Sequence, residues 1–359
     1  MRPAKRAPYD TRALVTFTAI RGAVVDPVFE VQLAQSIDFI QDQVSVLIGV
    51  HDKNCTYQEM SNQLLGGLVL GVSSVIRLVA VGRVMGVSGI VKRVVKPLVN
   101  RKPPHLQSLS WMLGFLIAAG LSVSVGGIAV QQAPDAIVAR VVGSFLIGFG
   151  SDMCLGCTTG HSISGIARLS KRSMLATLLF LLAGFFTATV AGTARWLATT
   201  RNQVDNSDLL TPFLVVLALQ FVASLGRLEL VVELFNGMAC CLGATSAELH
   251  YPHRVAQFLD LSSATWDWSI VVVGTTACAV VAVYYALIHR NLEVTVLGTP
   301  LPPCPRVSVV DRPLILGATI FGVGMALCSA TPLGTLCNVW SLEYLPNVLG
   351  LIVGFCAIQ

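Results

Sequence analysis

The residues of this chain best suited to chemistry stand in one short run: Cys154, Gly156, Cys157, Thr158, Thr159, Gly160 and His161, preceded by Gly148 and Gly150. Glycines on both sides of Cys157 let backbone approach a ligand closely, and the two threonines add hydroxyl donors. A helix restarting after Gly160 would present free N–H groups and a positive dipole end to an anion, with no lysine required. The same dipole would stabilise a thiolate at Cys157. Helix capping is the plainer role for Thr158 and Thr159. His161 could donate to an anion, carry a proton, or serve as a structural donor, and the sequence leaves these open. Cys154 and Cys157 form a C-x-x-C pair without the βαβ context of a soluble redox protein. With His161 they supply three possible metal ligands but no fourth at suitable spacing, so neither a metal nor another cofactor is expected.

The elements that position this run lie in lipid. The 359 residues are 54% hydrophobic and 12% charged, with a mean hydropathy of +0.73, which describes an integral multi-pass membrane protein. A soluble enzyme and a nucleic-acid binder are excluded as classes, and the plasma membrane is the favoured location. Apolar runs near the roughly 20 residues that a span requires recur at 62–82, 111–130, 136–152, 173–194, 209–228, 268–288, 314–330 and 346–358, the last of them short. Backbone that is not helical at this depth must line a cavity or be covered by protein. The Cys154–His161 interruption between two such runs therefore reads as a pathway.

Basic residues Arg83, Lys92, Arg93, Lys96, Arg101 and Lys102 crowd one connection and place it on the cytoplasmic side, while the acidic 227–267 connection gives no matching signal. Residues 1–60 read as a tail or peripheral helix with some resemblance to a transit peptide. Most of the ten cysteines sit in or beside apolar segments and are expected as reduced thiols, with packing the default for Cys278 and Cys356. Cys240 and Cys241 are either packed or pathway thiols. Arg77 and Arg83 are intramembrane charges, Arg83 at an interface from which it can snorkel.

A shift of 174 positions places Gly143 on Gly317, Gly148 on Gly322, Gly150 on Gly324 and Cys154 on Cys328, and brings Cys157 to Thr331 and Thr158 to Pro332. Interrupted helices at corresponding positions of two repeats are the best sequence pointer to a transporter's central site. The reading is an all-α polytopic protein of two homologous halves, 61–200 and 201–359, whose short re-entrant helices meet at the centre. The run count does not say whether the halves are parallel or inverted.

The segment from Gly148 to Ser173, with Gly160, His161, Gly165, Arg168, Ser170 and Arg172 in order, resembles the signature of the YeeE/YedE sulfur-transport family. Gly82, Arg83, Gly86, Ser88 and Gly89 resemble its first short-loop motif, Phe258, Asp260, Trp266 and Asp267 its third, and Phe321, Gly322 and Gly324 its last, so the similarity runs from about residue 64 to the end. The resemblance implies uptake of thiosulfate or another small sulfur anion along a path on which Cys157 hydrogen-bonds the passing sulfur. A polarizable, weakly bonding thiol suits a conducting site, which must also release. The implied path comprises Cys157, Thr158, Thr159, Gly160, His161, Cys154, Thr331 and Cys328, with Arg83 and Cys240 as further candidates, and no catalytic residue. A soluble sulfur-carrier or rhodanese-like protein could receive the substrate.

Two departures stand out. The family's last motif has Cys-Pro-Gly-Pro where this chain has Thr331, Pro332, Leu333 and Gly334, so one thiol is missing, with Cys328 and Cys337 nearby as possible substitutes. Asp152 occupies a commonly basic position, where a carboxylate would repel an anion unless it pairs, for instance with Arg77 or Arg140. The alternatives to transport are a membrane thiol redox or sulfur-transfer protein using Cys154 and Cys157, and a transport-inactive scaffold.

Overall fold

A computed structural model describes residues 53–124, 136–196, 210–263, 266–289, 292, 294–299, 301 and 309–358. The chain divides into two compact units, Met1–Gln58 and Glu59–Gln359. The tail expected over 1–60 lies outside the described residues up to Asp52, and from Lys53 the chain is already helical. Twelve α-helices follow among the described residues: α1 (Lys53–Val81), α2 (Val87–Val99), α3 (Leu106–Ser124), α4 (Ile137–Met153), α5 (Lys171–Ala191), α6 (Leu210–Leu225), α7 (Glu229–Ser246), α8 (Pro252–Leu259), α9 (Ser269–Leu287), α10 (Arg312–Cys328), α11 (Pro332–Cys337) and α12 (Leu345–Cys356). A π-helical turn, Thr159–Gly165, lies between α4 and α5.

Each of the eight apolar runs holds a helix. Four stretches, Met60–Val81, α3, α5 and α9, are long and apolar enough to cross a bilayer, whereas α4 and α10 have 17 residues and α12 has 12. Of the short helices, α4 and α10 pack on each other as the central pair, whereas α12 packs on α4 and exposes Leu345, Leu349 and Val353 on its other side. The long ones meet lipid: Leu178, Leu182, Phe186 and Val190, four residues apart on α5, form an exposed apolar row that water would not tolerate but lipid does. The protein is an all-α, polytopic integral membrane protein.

The 227–267 segment, expected as a connection, instead contains α7 and α8, and α7 is one of the most buried helices. Glu229, Glu233 and Asn236 interrupt its hydropathy, and each polar group has a reason to be there. Asn236 accepts from the Trp111 indole of α3 (3.0 Å) and donates to the Ser73 carbonyl of α1 (2.8 Å), tying three helices together. α3 and α7 come backbone to backbone: a Cβ at Gly237 would fall 2.0 Å from the Trp111 carbonyl oxygen. Without a hydrophobic effect to drive helices together in lipid, such close contact and interhelical hydrogen bonds hold the bundle.

The centre is the α4–α10 pair. A Cβ on Gly143 would meet Cys328 N at 2.7 Å and Gly324 O at 2.8 Å, and a Cβ on Gly317 would meet Cys154 N at 2.7 Å and Gly150 O at 2.8 Å. Likewise Gly150 faces Gly317 and Phe321, while Gly324 faces Gly143 and Ile147. Early residues of α4 thus face late residues of α10, so the two helices run antiparallel. Every contact also maps onto its mate under the 174-residue shift. Both helices end alike, with Leu155 (φ 59°) and Ser329 (φ 50°) in the left-handed region at corresponding positions, stopping each helix just past its cysteine. α12 packs on α4 and α5 on α10, again through mates: Gly148 against Gly354, and Gly322 against Phe180.

Candidate functional site

Cys157 sits in the break between α4 and the π-helical turn, 1% exposed. Its surroundings come from two helix starts facing each other. α2 begins at Gly86 without a side-chain cap, and its first N–H groups turn to the break instead. Val87 N–H donates to Thr159 Oγ1 (3.2 Å) and Ser88 N–H to Cys157 Sγ (3.5 Å), while Cys157 Sγ and Thr159 Oγ1 lie 3.1 Å apart. The thiol is therefore held by an amide dipole at the positive end of α2. The sequence assigned the dipole to the helix after the cysteine, and the structure adds the one before it in the chain.

Gly86 and Gly160 face one another beside this thiol. A Cβ on Gly86 would have Gly160 Cα as its nearest neighbour at 3.8 Å, and the reverse distance is 3.9 Å. Both line a cavity of about 390 Å³, whose wall also includes Ser88, Gly89, Gly156, His161, Ser170 and Ser173 and the four arginines Arg77, Arg93, Arg168 and Arg172, with no carboxylate among the lining residues. Arg77 is paired with Glu233, and Arg172 with Asp311 at 3.1 Å. Arg168 donates its Nε to the Ser164 carbonyl. Two of the four guanidiniums are thus offset by carboxylates outside the wall, and Arg93 and Arg168 leave the cavity net positive, which draws anions. Arg93 was read from sequence as a marker of topology and Arg168 and Arg172 as parts of the family signature, and nothing in their spacing shows that they converge.

His161 braces the break. Its Nε2 lies 3.2 Å from the Cys154 carbonyl, which can only accept, and its Nδ1 lies 3.1 Å from Ser173 Oγ. Both ring nitrogens are engaged, so of the readings left open the structural donor is the one the geometry displays. Gly156 is required there, because a Cβ would fall 2.5 Å from His161 Nε2. Thr158 makes no side-chain capping bond.

Cys154 and Cys328 are placed as mates. Each closes its helix and packs against the opposite glycine, Gly317 or Gly143, with the Cys154 thiol turned to the Gly156 carbonyl (3.2 Å) and the Cys328 thiol to that of Ala330 (3.7 Å). Thr331, the mate of Cys157, caps α11 by accepting from Gly334 N–H (3.1 Å). Cys240 and Cys241 of α7 are buried in the same apolar cluster as Cys157 and Cys337. Arg83 stands 3.7 Å from Glu229 and does not line the cavity. Among the described residues, no group of three or more His, Cys, Asp or Glu is arranged to hold a metal ion.

Asp152 pairs with neither Arg77 nor Arg140. Its carboxylate takes both Lys92 and Lys96 of α2, the latter at 2.7 Å. Lysines that seemed to be loop charges are thus engaged inside the fold, and α2 is moored to the end of α4.

The comparisons with known proteins agree with this geometry. Residues 53–187 match the family described as Sulphur transport, and residues 228–358 match a family of unknown function, DUF6691. A probable transporter of Xylella fastidiosa (strain 9a5c) is 38% identical over 134 residues, covering 36% of this chain and 93% of that protein. One from strain Temecula1 is 37% identical over the same shares. A further probable transporter of strain 9a5c is 32% identical over 105 residues, 29% of this chain and 70% of its own length. With the glycine-flanked break in place and the first two of these relatives covered over 93% of their length, the chain belongs to the YeeE/YedE-type sulphur transport family.

Proposed function

We propose that the protein carries a small sulfur-containing anion, foremost thiosulfate, from the arginine-lined cavity through the Gly86–Gly160 gap past Cys157. One observation carries this reading: the Cys157 thiol is held at the positive start of α2, directly behind a cavity with four arginines and no carboxylate. Arginines and helix starts attract a dianion, and the thiol offers a soft, weak contact to its terminal sulfur without binding it tightly. Thr159 and Ser88 keep the thiol in place. No bond is made or broken in the passing anion.

Beyond Cys157 the thiol absent at Thr331 is supplied from α7 and α11. Cys240, in the same buried cluster as Cys157 and Cys337, extends the soft surface toward the second half, while Cys154 and Cys328 fix the ends of α4 and α10 beside the path. The antiparallel α4–α10 pair, whose contacts exchange under the 174-residue shift, supports two repeats of inverted topology, an arrangement in which substrate sites lie at the repeat interface. A soluble sulfur-carrier or rhodanese-like acceptor would complete the route, on the strength of the family alone.

The test is uptake of labelled thiosulfate into proteoliposomes by the wild type and by Cys157→Ala, with sulfate and sulfite as competitors. Uptake that falls in the variant, and that sulfate competes for less well than unlabelled thiosulfate, supports the reading. A wild type with no flux, or a variant with unchanged flux, overturns it. A dithiol enzyme would instead lose its activity equally on Cys154→Ala and Cys157→Ala.

A further inference from the structure

Arg140 is a guanidinium buried within a membrane helix (5% exposed), and it has no carboxylate partner among the described residues. Its Nη1 donates to the Glu343 carbonyl (3.2 Å), its Cζ stands 5.8 Å from the centre of the Tyr344 ring, and its Nε has no partner. A buried charge of this kind is costly unless an opposite charge or a full set of hydrogen bonds meets it. Intramembrane arginines accordingly mark ion pathways and their partners.

Other unpartnered polar atoms gather at the same level. Ser144, one turn along α4, has only the weakly bonding Cys328 thiol beside it and leaves its Oγ without a hydrogen bond of ordinary geometry. The Tyr344 hydroxyl and both polar atoms of the Asn347 amide have no partner, and all three side chains are at most 1% exposed. α12 runs parallel to α4, since Gly350 packs on Val141, Ser144 and Phe145, and Gly354 on Phe145, Gly148 and Phe149. That register sets Asn347, one turn before Gly350, level with Arg140, one turn before Ser144. The starts of α4 and α12 add two positive dipole ends at the same level. A guanidinium, two hydroxyls and an amide are together a donor set for a small oxyanion.

The place has a counterpart. Under the 174-residue shift, Ser170 and Ser173 of the arginine-lined cavity fall on Tyr344 and Asn347, and Cys154 falls on Cys328. Because α4 and α10 are antiparallel, these two positions lie at opposite ends of the central pair.

We propose that Arg140, Ser144, Tyr344 and Asn347 form a second, buried oxyanion site, at the far end of the path from the arginine-lined cavity. Naming its occupant as thiosulfate or its isostere sulfate rests on the transport reading, whereas the site itself does not. A dianion engages this donor set during passage.

The experiment measures sulfate and thiosulfate binding to the full-length protein in nanodiscs by titration calorimetry, alongside labelled uptake, for wild type, Arg140→Gln and Tyr344→Phe. The expected result is that Arg140→Gln weakens binding by about tenfold or more and Tyr344→Phe by a smaller factor, as for loss of a charge-assisted and a neutral hydrogen bond. Tyr344→Phe keeps the ring beneath Arg140, so its unfolding temperature without anion should match wild type, and it carries the test should Arg140→Gln fail to fold. Both variants binding like wild type, or a wild type binding neither anion at millimolar concentration, overturns the site. Binding that depends on Arg140 in a protein with no uptake supports the site and overturns the transport reading. Normal uptake and KM in both variants does the reverse.

Discussion

Arg77 of α1 and Glu233 of α7 form a two-pronged ion pair, Nε to Oε2 at 2.9 Å and Nη2 to Oε1 at 3.0 Å, with both side chains buried. A third donor, Arg77 Nη1, bonds the Val84 carbonyl at 3.1 Å and so fixes the extended stretch that leads into α2. One guanidinium thereby joins a spanning helix, a buried helix and the approach to the cavity. Breaking one side of such a pair leaves a bare charge, a loss of about 3–5 kcal/mol, whereas replacing both partners by apolar groups of similar volume is often neutral. Glu233→Gln should lower the unfolding temperature sharply in detergent, and the double variant Arg77→Met with Glu233→Leu should recover most of it. A double variant no better than the single one would show that the charges themselves, and not their pairing, are needed.

The Gly86–Gly160 gap predicts a variant that folds and does not conduct. Gly86 has φ −170°, extended backbone that any residue adopts, and a Cβ there would touch only Gly160 Cα at 3.8 Å. Gly86→Ala should fold and retain most uptake, and Gly86→Leu should fold with uptake lost, because its longer side chain fills the space beside Cys157. Thermal unfolding and flux measured on the same preparations decide it, and full flux through Gly86→Leu would place the route elsewhere.

Asp152 separates two pictures of the site. As a bare carboxylate beside an anion path it would repel substrate, and Asp152→Ala would raise uptake. As the mooring of Lys92 and Lys96 it holds the start of α2 against Cys157, and its removal should cost stability, about 1.5–3 kcal/mol for each charge-assisted bond lost. The geometry favours the second outcome: lower uptake, and faster maleimide labelling of a Cys157 that is otherwise buried. Lys92→Met with Lys96→Met should repeat the effect.

Much of this was legible from residue type and spacing. The break at Cys157 followed from glycines and cysteines between apolar runs, and the 174-residue shift marked Gly143 and Gly317, and Gly150 and Gly324, as counterparts, but it did not foretell that Gly143 packs on Gly324 and Gly150 on Gly317 in an antiparallel pair. What stayed hidden depends on partners far along the chain. α7 was taken for a connection because Glu233 and Asn236 look like surface residues until Arg77 and Trp111, more than a hundred positions away, are seen to meet them. Lys92 and Lys96 looked like loop charges until Asp152 appeared between them. Periodicity reports how a residue faces its own helix, and it carries no information about which distant charge answers it.

The loop before α9 makes the final prediction, one of pH. Burial alone would raise the pKa of Asp267, but Arg254 Nη1 at 2.7 Å and the Ser269 N–H at 2.8 Å outweigh it and hold the carboxyl below its ordinary value. In the unfolded chain an aspartate titrates near 3.9. A lowered folded value means that the ionised form is favoured by folding, so this contribution is complete above about pH 4 and fades as pH falls through the folded value. The wild type's unfolding temperature should therefore drop below about pH 4, in part through this group. Asp267→Asn should lower it already at pH 7 and flatten the acid-side drop, since the variant has no proton to take up there. If Asp267→Asn matches wild type at pH 7, the pairing of Asp267 with Arg254 contributes nothing to stability, and α8 is held in place by its other contacts, the Arg254–Glu248 pair among them.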